Sequence, residues 1–149
     1  MREILVVANQ SLGSDDLAVI VTARIAKEET HFYLLVPATP PPRDVAAKFD
    51  STFNEDADEA AQRQLDVGIA WLRHLGAAVD GEVGDEDPVR GVGDTLKEKS
   101  YDEVIISTLP SGVSRWLHQD LPHRVQRKYK LPVTVVTAKS VPARRVPPG

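Results

Sequence analysis

The chain has 149 residues, 42% hydrophobic and 27% charged, which suits one globular domain with a sizeable core and is short for two. It has no cysteine, which excludes disulfides, thiolate metal sites and cysteine nucleophiles, and its net charge of −4 without a dominant basic stretch argues against nucleic acid as a partner. No apolar run approaches the roughly 20 residues of a membrane helix, and the opening MREILVV is too short for a signal peptide, so no membrane contact and a cytoplasmic location are expected.

Ile4 to Ala8 is apolar throughout and β-branched, the pattern of a strand buried on both faces. Asn9, Gln10 and Ser11 form a polar turn, and Ser14 or Asp15 can cap the helix that follows. Leu17, Ile20, Val21, Ala23 and Ile25 give that helix its apolar side. His31 to Val36 reads as the second strand. Proline lacks a backbone donor, so Pro37 to Ser51 reads as a loop. Thr52 stands before Glu55 at capping-box spacing, and Ala57, Ala61, Leu65, Ile69, Leu72 and Leu75 continue a helix at steps of three or four.

Ala77 to Val83 is a weaker third strand. Asp87-Pro88 opens the next helix with a cap and an N1 proline, and Asp85-Glu86-Asp87 suits its positive end. Gly91 and Gly93 weaken that helix by about 1 kcal/mol each relative to alanine. Val104 to Ile106 and Val133 to Thr137 are strands four and five. They are joined by a loop and a helix that Asp120 caps, with Pro122 in its first turn.

The alternation βαβαβαβαβ predicts an α/β fold: a single-domain, open, five-stranded parallel sheet with helices on both faces. Right-handed crossovers with one reversal of winding give the order 3-2-1-4-5. Residues 1–138 form the domain, and the Pro- and Arg-containing stretch 139–149 reads as a tail. The switch point falls between strands one and four, where Asn9 to Ser11 faces Ser107 to Gly112 and a ligand of an open sheet would bind.

The chain resembles the universal stress protein family from Ile4 to Val136. Asn9-Gln10-Ser11 stands where members have an Asp-Gly-Ser-like turn. Gly84 to Pro88 matches a Gly-x-Pro-like turn, Arg124-Val125 a Glu-Arg-Val segment, and Pro132 to Val136 a Pro-Val-x-Val-Val strand. The resemblance implies a Rossmann-like fold, dimers paired through the last strand, and a nucleotide pocket made here from Asn9, Val36, Ser107, Thr108, Gly112 and Asp120. The nucleotide-binding members carry a G-x-x-G loop followed by G-[ST]. Its glycines fall at Ser107, Pro110 and Gln119, and its last residue at Asp120. Gly112, Ser114, Arg115 and Leu117 still resemble the segment between.

A phosphate loop works through backbone N–H groups and a helix N-terminus aimed at the anion. Pro110 has no N–H, and one charge-assisted bond worth roughly 1.5–3 kcal/mol is lost with it. Asp120 opposes a phosphate by roughly 3 kcal/mol per unit charge at about 5 Å and an effective dielectric near 20. No ATP or other cofactor is therefore expected. Asn9, Thr108, Ser111 and Arg115 serve equally well as loop-shaping residues.

The four histidines lack carboxylates at metal-ligand spacing, with His31 and His74 isolated, so no metal is expected. Trp71 and Trp116 read as packing residues. No nucleophile elbow, Walker A loop or His-Glu-x-x-His is present. The resulting reading is a non-enzymatic stress-response or regulatory protein that binds a protein partner or an atypical small ligand. It is expected to form a homodimer through Val133 to Thr137. The alternatives are an ATP or AMP binder with a rewired loop, and a hydrolase or transferase of the wider nucleotide-binding α/β class.

Overall fold

In the computed structural model, residues 1–8, 11–38, 57–108, 116 and 120–138 are described. β1 (Arg2–Val7) lies at the centre of the sheet, and the reason is in its run of Ile4, Leu5, Val6 and Val7. Ile4 and Val6 point into one core, Leu5 and Val7 into the other, and all four are fully buried. β2 (Thr30–Pro37) and β4 (Glu103–Thr108) flank it in parallel. β3 (Ala78–Gly84) and β5 (Val133–Thr137) form the edges, also parallel, completing the expected order β3-β2-β1-β4-β5.

Four helices cover the two faces. α1 (Asp15–Lys27) and α2 (Ala57–His74) bury Leu17, Val21, Ala61, Leu65 and Leu72 against one face. α3 (Pro88–Glu98) and α4 (Leu121–Tyr129) bury Val89, Val92, Leu121 and Val125 against the other, where Trp116 also packs. Two caps follow the sequence. Ser14 Oγ accepts from Leu17 N–H at 3.2 Å, and Asp87 Oδ1 accepts from Val89 N–H at 3.0 Å ahead of the N1 proline.

Some expectations are corrected. Pro37 closes β2 instead of opening a loop, in register with Gly84; at the last residue of a strand the missing N–H removes a single ladder bond. Ala23 is exposed, because the buried side of α1 is narrower than the periodicity suggested. Leu75 follows the end of α2, where Gly76 at φ 99° takes the left-handed turn that glycine allows. The Thr52–Glu55 capping box, the Pro-rich loop beyond Ala38 and the tail 139–149 lie outside the described residues.

Candidate ligand site at the sheet switch point

The carboxyl ends of β1 and β4 diverge at the switch point, and two hydroxyls meet there. Ser11, just past β1, and Ser107, in β4, are both fully buried, with Oγ atoms 2.7 Å apart. Ser107 alternates with Ile105 onto the face that α1 covers. Its neighbour Thr108 is 2% exposed, and its Oγ1 has no hydrogen-bond partner among the described residues. A buried hydroxyl without a partner costs roughly 1–3 kcal/mol. Thr108 stands at the last rung of β4, and its carbonyl accepts from Ala138 N–H at 2.8 Å. The serine pair offers neutral donors and acceptors, and no base is bonded to either serine among the described residues; Thr108, the next residue along β4, alternates to the other face of the sheet.

The other expected pocket residues fall in several places. Val36 is fully buried in the core shared with α1 and α2. Asn9 and Gly112 lie outside the described residues, as do Pro110, Ser111, Ser114, Arg115, Leu117 and Gln119. Asp120 stands at the start of α4 but does not cap it, which corrects the sequence expectation. Its backbone is left-handed, at φ 56° and ψ 40°, and its side chain makes no capping bond to a backbone N–H of the helix. A capping side chain reaches the N2 or N3 donor from an extended backbone, a geometry this residue does not have. The exposed carboxylate instead meets His123 Nδ1 at 2.8 Å. Ser11 was not among the residues singled out from sequence; the only signal for it was its place in the turn opposite Ser107.

The amino end of the sheet carries a second polar arrangement that local sequence did not reveal. His31, expected to be isolated, has Glu3 at 2.9 Å from one ring nitrogen and Asp80 at 3.0 Å from the other. Lys99 reaches the same Glu3 oxygen at 2.7 Å. Burial pushes the Glu3 carboxyl up, but hydrogen bonds from Lys99 and His31 outweigh it and hold the group below its ordinary range. Beside this row, burial pushes the Tyr101 hydroxyl up to about 12, with Tyr33 next in effect. On the opposite face Glu103, 3% exposed, takes two bonds from Arg24 at 2.8 and 3.0 Å and one from the Thr134 hydroxyl at 2.6 Å. No group of three or more His, Asp or Glu among the described residues is placed to hold a metal ion. No described helix is long and apolar enough to cross a membrane.

No protein-family model and no curated protein matches this sequence. Solved structures do. A universal stress protein from Archaeoglobus fulgidus in complex with dAMP superposes with a TM-score of 0.61 at 13% identity, over 91% of this chain and 98% of that one. The fold is that of the universal stress proteins. A member from Arabidopsis thaliana with AMP bound gives a TM-score of 0.59 at 12% identity, over 96% and 99% of the two chains. One from Burkholderia pseudomallei gives 0.60 at 16%, over 90% and 94%. The universal stress protein fold thus spans almost the whole of each chain, although few residues are shared, and it agrees with the resemblance read from the turn and strand motifs.

Proposed function

We propose that this chain is a non-enzymatic protein of universal stress protein type, which acts through a protein partner or an atypical small ligand and no longer holds ATP in the family's manner. One observation carries the reading. The start of α4, where the family's loop delivers a phosphate, holds the carboxylate of Asp120, bonded to the His123 side chain and not to the helix's backbone N–H groups. A helix N-terminus draws anions through its free N–H groups, and a fixed negative side chain beside them works against a phosphate. The buried hydroxyl pair of Ser11 and Ser107 at the switch point suits a neutral ligand group better than a triphosphate. A thermal-shift series with ATP, ADP, AMP and adenosine, with and without magnesium, tests the reading. No stabilisation by ATP at millimolar concentration is expected, and saturable binding at micromolar concentration overturns it.

A second reading, an AMP binder with a rewired loop, is favoured by the unpartnered Thr108 hydroxyl and by relatives solved with dAMP and AMP. It predicts AMP binding that Thr108→Val weakens, measured by calorimetry. We also infer a homodimer paired through β5, in a cytoplasmic protein. β3, the opposite edge, shows exposed Asp80 and Glu82, whereas β5 (VTVVT) has no charge and exposes Val135 at 41%. A charged edge resists pairing and an uncharged one invites it.

A further inference from the structure

α4 and its C-cap, residues 121–130, read LPHRVQRKYK: four Lys or Arg, one His and no acid. The chain as a whole is at −4, so with these four cations set aside the remainder carries −8. At 100° per residue, His123, Arg124, Arg127 and Lys128 share an arc of about 140°. Leu121 and Val125 follow next round the helix, at about 160° and 200° from His123 on the same scale, and are buried, and the Tyr129 hydroxyl fixes the helix to α3 by donating to the Val89 carbonyl at 2.8 Å. All five basic side chains, Lys130 included, are exposed.

Among the described residues, no acidic group pairs with Arg124, Arg127, Lys128 or Lys130, and Lys128 meets only the Tyr129 ring. The helix dipole favours cations in the last turn, which accounts for Arg127 and Lys128 but not for Arg124. Arg124 stands three and four residues before Arg127 and Lys128, and like charges at those spacings destabilise a helix. Asp120 meets His123 at one end of the arc, but among the described residues no acid neutralises Arg124, Arg127 or Lys128, whose mutual repulsion opposes the helix's own stability. The arc borders an open depression of about 390 Å3 lined by His123, Gln126 and Arg127.

We propose that this arc is a docking surface for an acidic, Asp- and Glu-rich segment of a protein partner. Charge complementarity selects the class. The cations extend over about 10 Å of helix, the length of a short peptide segment. A nucleic acid would carry its charge past the arc along a chain whose remaining net charge is −8, whereas a short acidic segment ends where the cations end. The apolar side of α4 is used up in the core, so the helix has nothing to insert into a lipid surface. The proposal rests on the partner-binding reading above. It does not depend on whether the switch point holds a nucleotide, and the ATP series can fail without touching it.

The test is fluorescence anisotropy with fluorescein-labelled deca-glutamate and the full chain. Binding at low salt is expected, weakening at least tenfold as ionic strength approaches about 0.2 M. The variant Arg124→Gln/Arg127→Gln/Lys128→Gln is expected to lose about tenfold or more in affinity, and Arg90→Gln/Lys97→Gln on the neighbouring α3 less than about twofold. Far-ultraviolet circular dichroism establishes that each variant is folded; should the triple variant unfold, Arg124→Gln alone carries the test with about a threefold loss. Absence of deca-glutamate binding at low salt overturns the proposal, as does an equal loss in the α3 variant. Tighter binding of deca-thymidylate or of phosphatidylserine vesicles overturns it in favour of those partners.

Discussion

The Tyr129 hydroxyl occupies the space that a Cβ on Gly93 would need. Such a Cβ would clash with Oη and lie 3.1 Å from the ring carbon that bears it, while the same hydroxyl donates to the Val89 carbonyl. Gly93 is therefore the point at which α3 and α4 come close enough for that bond.

Propensity and packing give opposite signs here, which makes a sharp test. Gly to Ala inside a helix ordinarily stabilises by about 1 kcal/mol. Gly93→Ala is expected instead to destabilise by roughly 1–2 kcal/mol, since the ring must move and its hydrogen bond is lost. In a Tyr129→Phe background the clash with Oη is gone, and the same substitution should become neutral or stabilising. Urea unfolding of the four proteins of this cycle measures it; a destabilisation of equal size in both backgrounds would sink the proposed contact.

Glu103 is expected to contribute to the loss of stability in acid. Burial pushes its carboxyl up, but the bonds from Arg24 and Thr134 and the charges of Arg24 and Arg2 outweigh it and hold the group below its ordinary 4.5. The stabilisation is therefore present above 4.5, where both states are ionised. As pH falls, the unfolded chain binds its proton first, and stability is lost down through the lower folded value. Glu3 contributes with the same sign. Glu103→Gln leaves Arg24 without its partner and should cost on the order of 3 kcal/mol at neutral pH. It should also flatten the loss below 4.5. Thermal midpoints followed from neutral pH into acid report both, and a variant with an unchanged acid slope rules Glu103 out as the source.

Restoring the loop's chemistry should restore anion affinity in part. Pro110→Gly returns a backbone donor and Asp120→Ser removes the opposing charge, and the pair together is expected to raise ATP affinity by at least tenfold. Calorimetry with magnesium-ATP measures it. No gain in the double variant would mean that these two residues are not what disfavours the nucleotide.

The β5 edge predicts the assembly. The unmodified protein should sediment as a dimer at high micromolar concentration and Val135→Lys as a monomer, because a charge on an edge strand disfavours strand pairing. A monomer for the unmodified protein ends the dimer proposal.

The order of the sheet was legible in the sequence because each element declares itself locally. Buried apolar runs mark the inner strands, steps of three and four mark the helices, and Ser14 and Asp87-Pro88 mark two starts, all of which the fold keeps. The order of winding placed Ser107 and Thr108 at the switch point, but as loop residues after Ile106; they are in fact the last two residues of β4. Other relationships were not written locally. His31 meets Glu3 and Asp80, 28 and 49 residues away; Ser11 meets Ser107, 96 away; and Gly93 owes its place to Tyr129. Asp120 looked like a cap because its residue type fits one, yet its left-handed backbone turned the carboxylate to His123. Local pattern determined which segments form strands and helices. Only the tertiary packing decided which side chains meet: the β1–β2 register for Glu3 and His31, the turn beyond β1 for Ser11 and Ser107, and the approach of α3 to α4 for Gly93 and Tyr129.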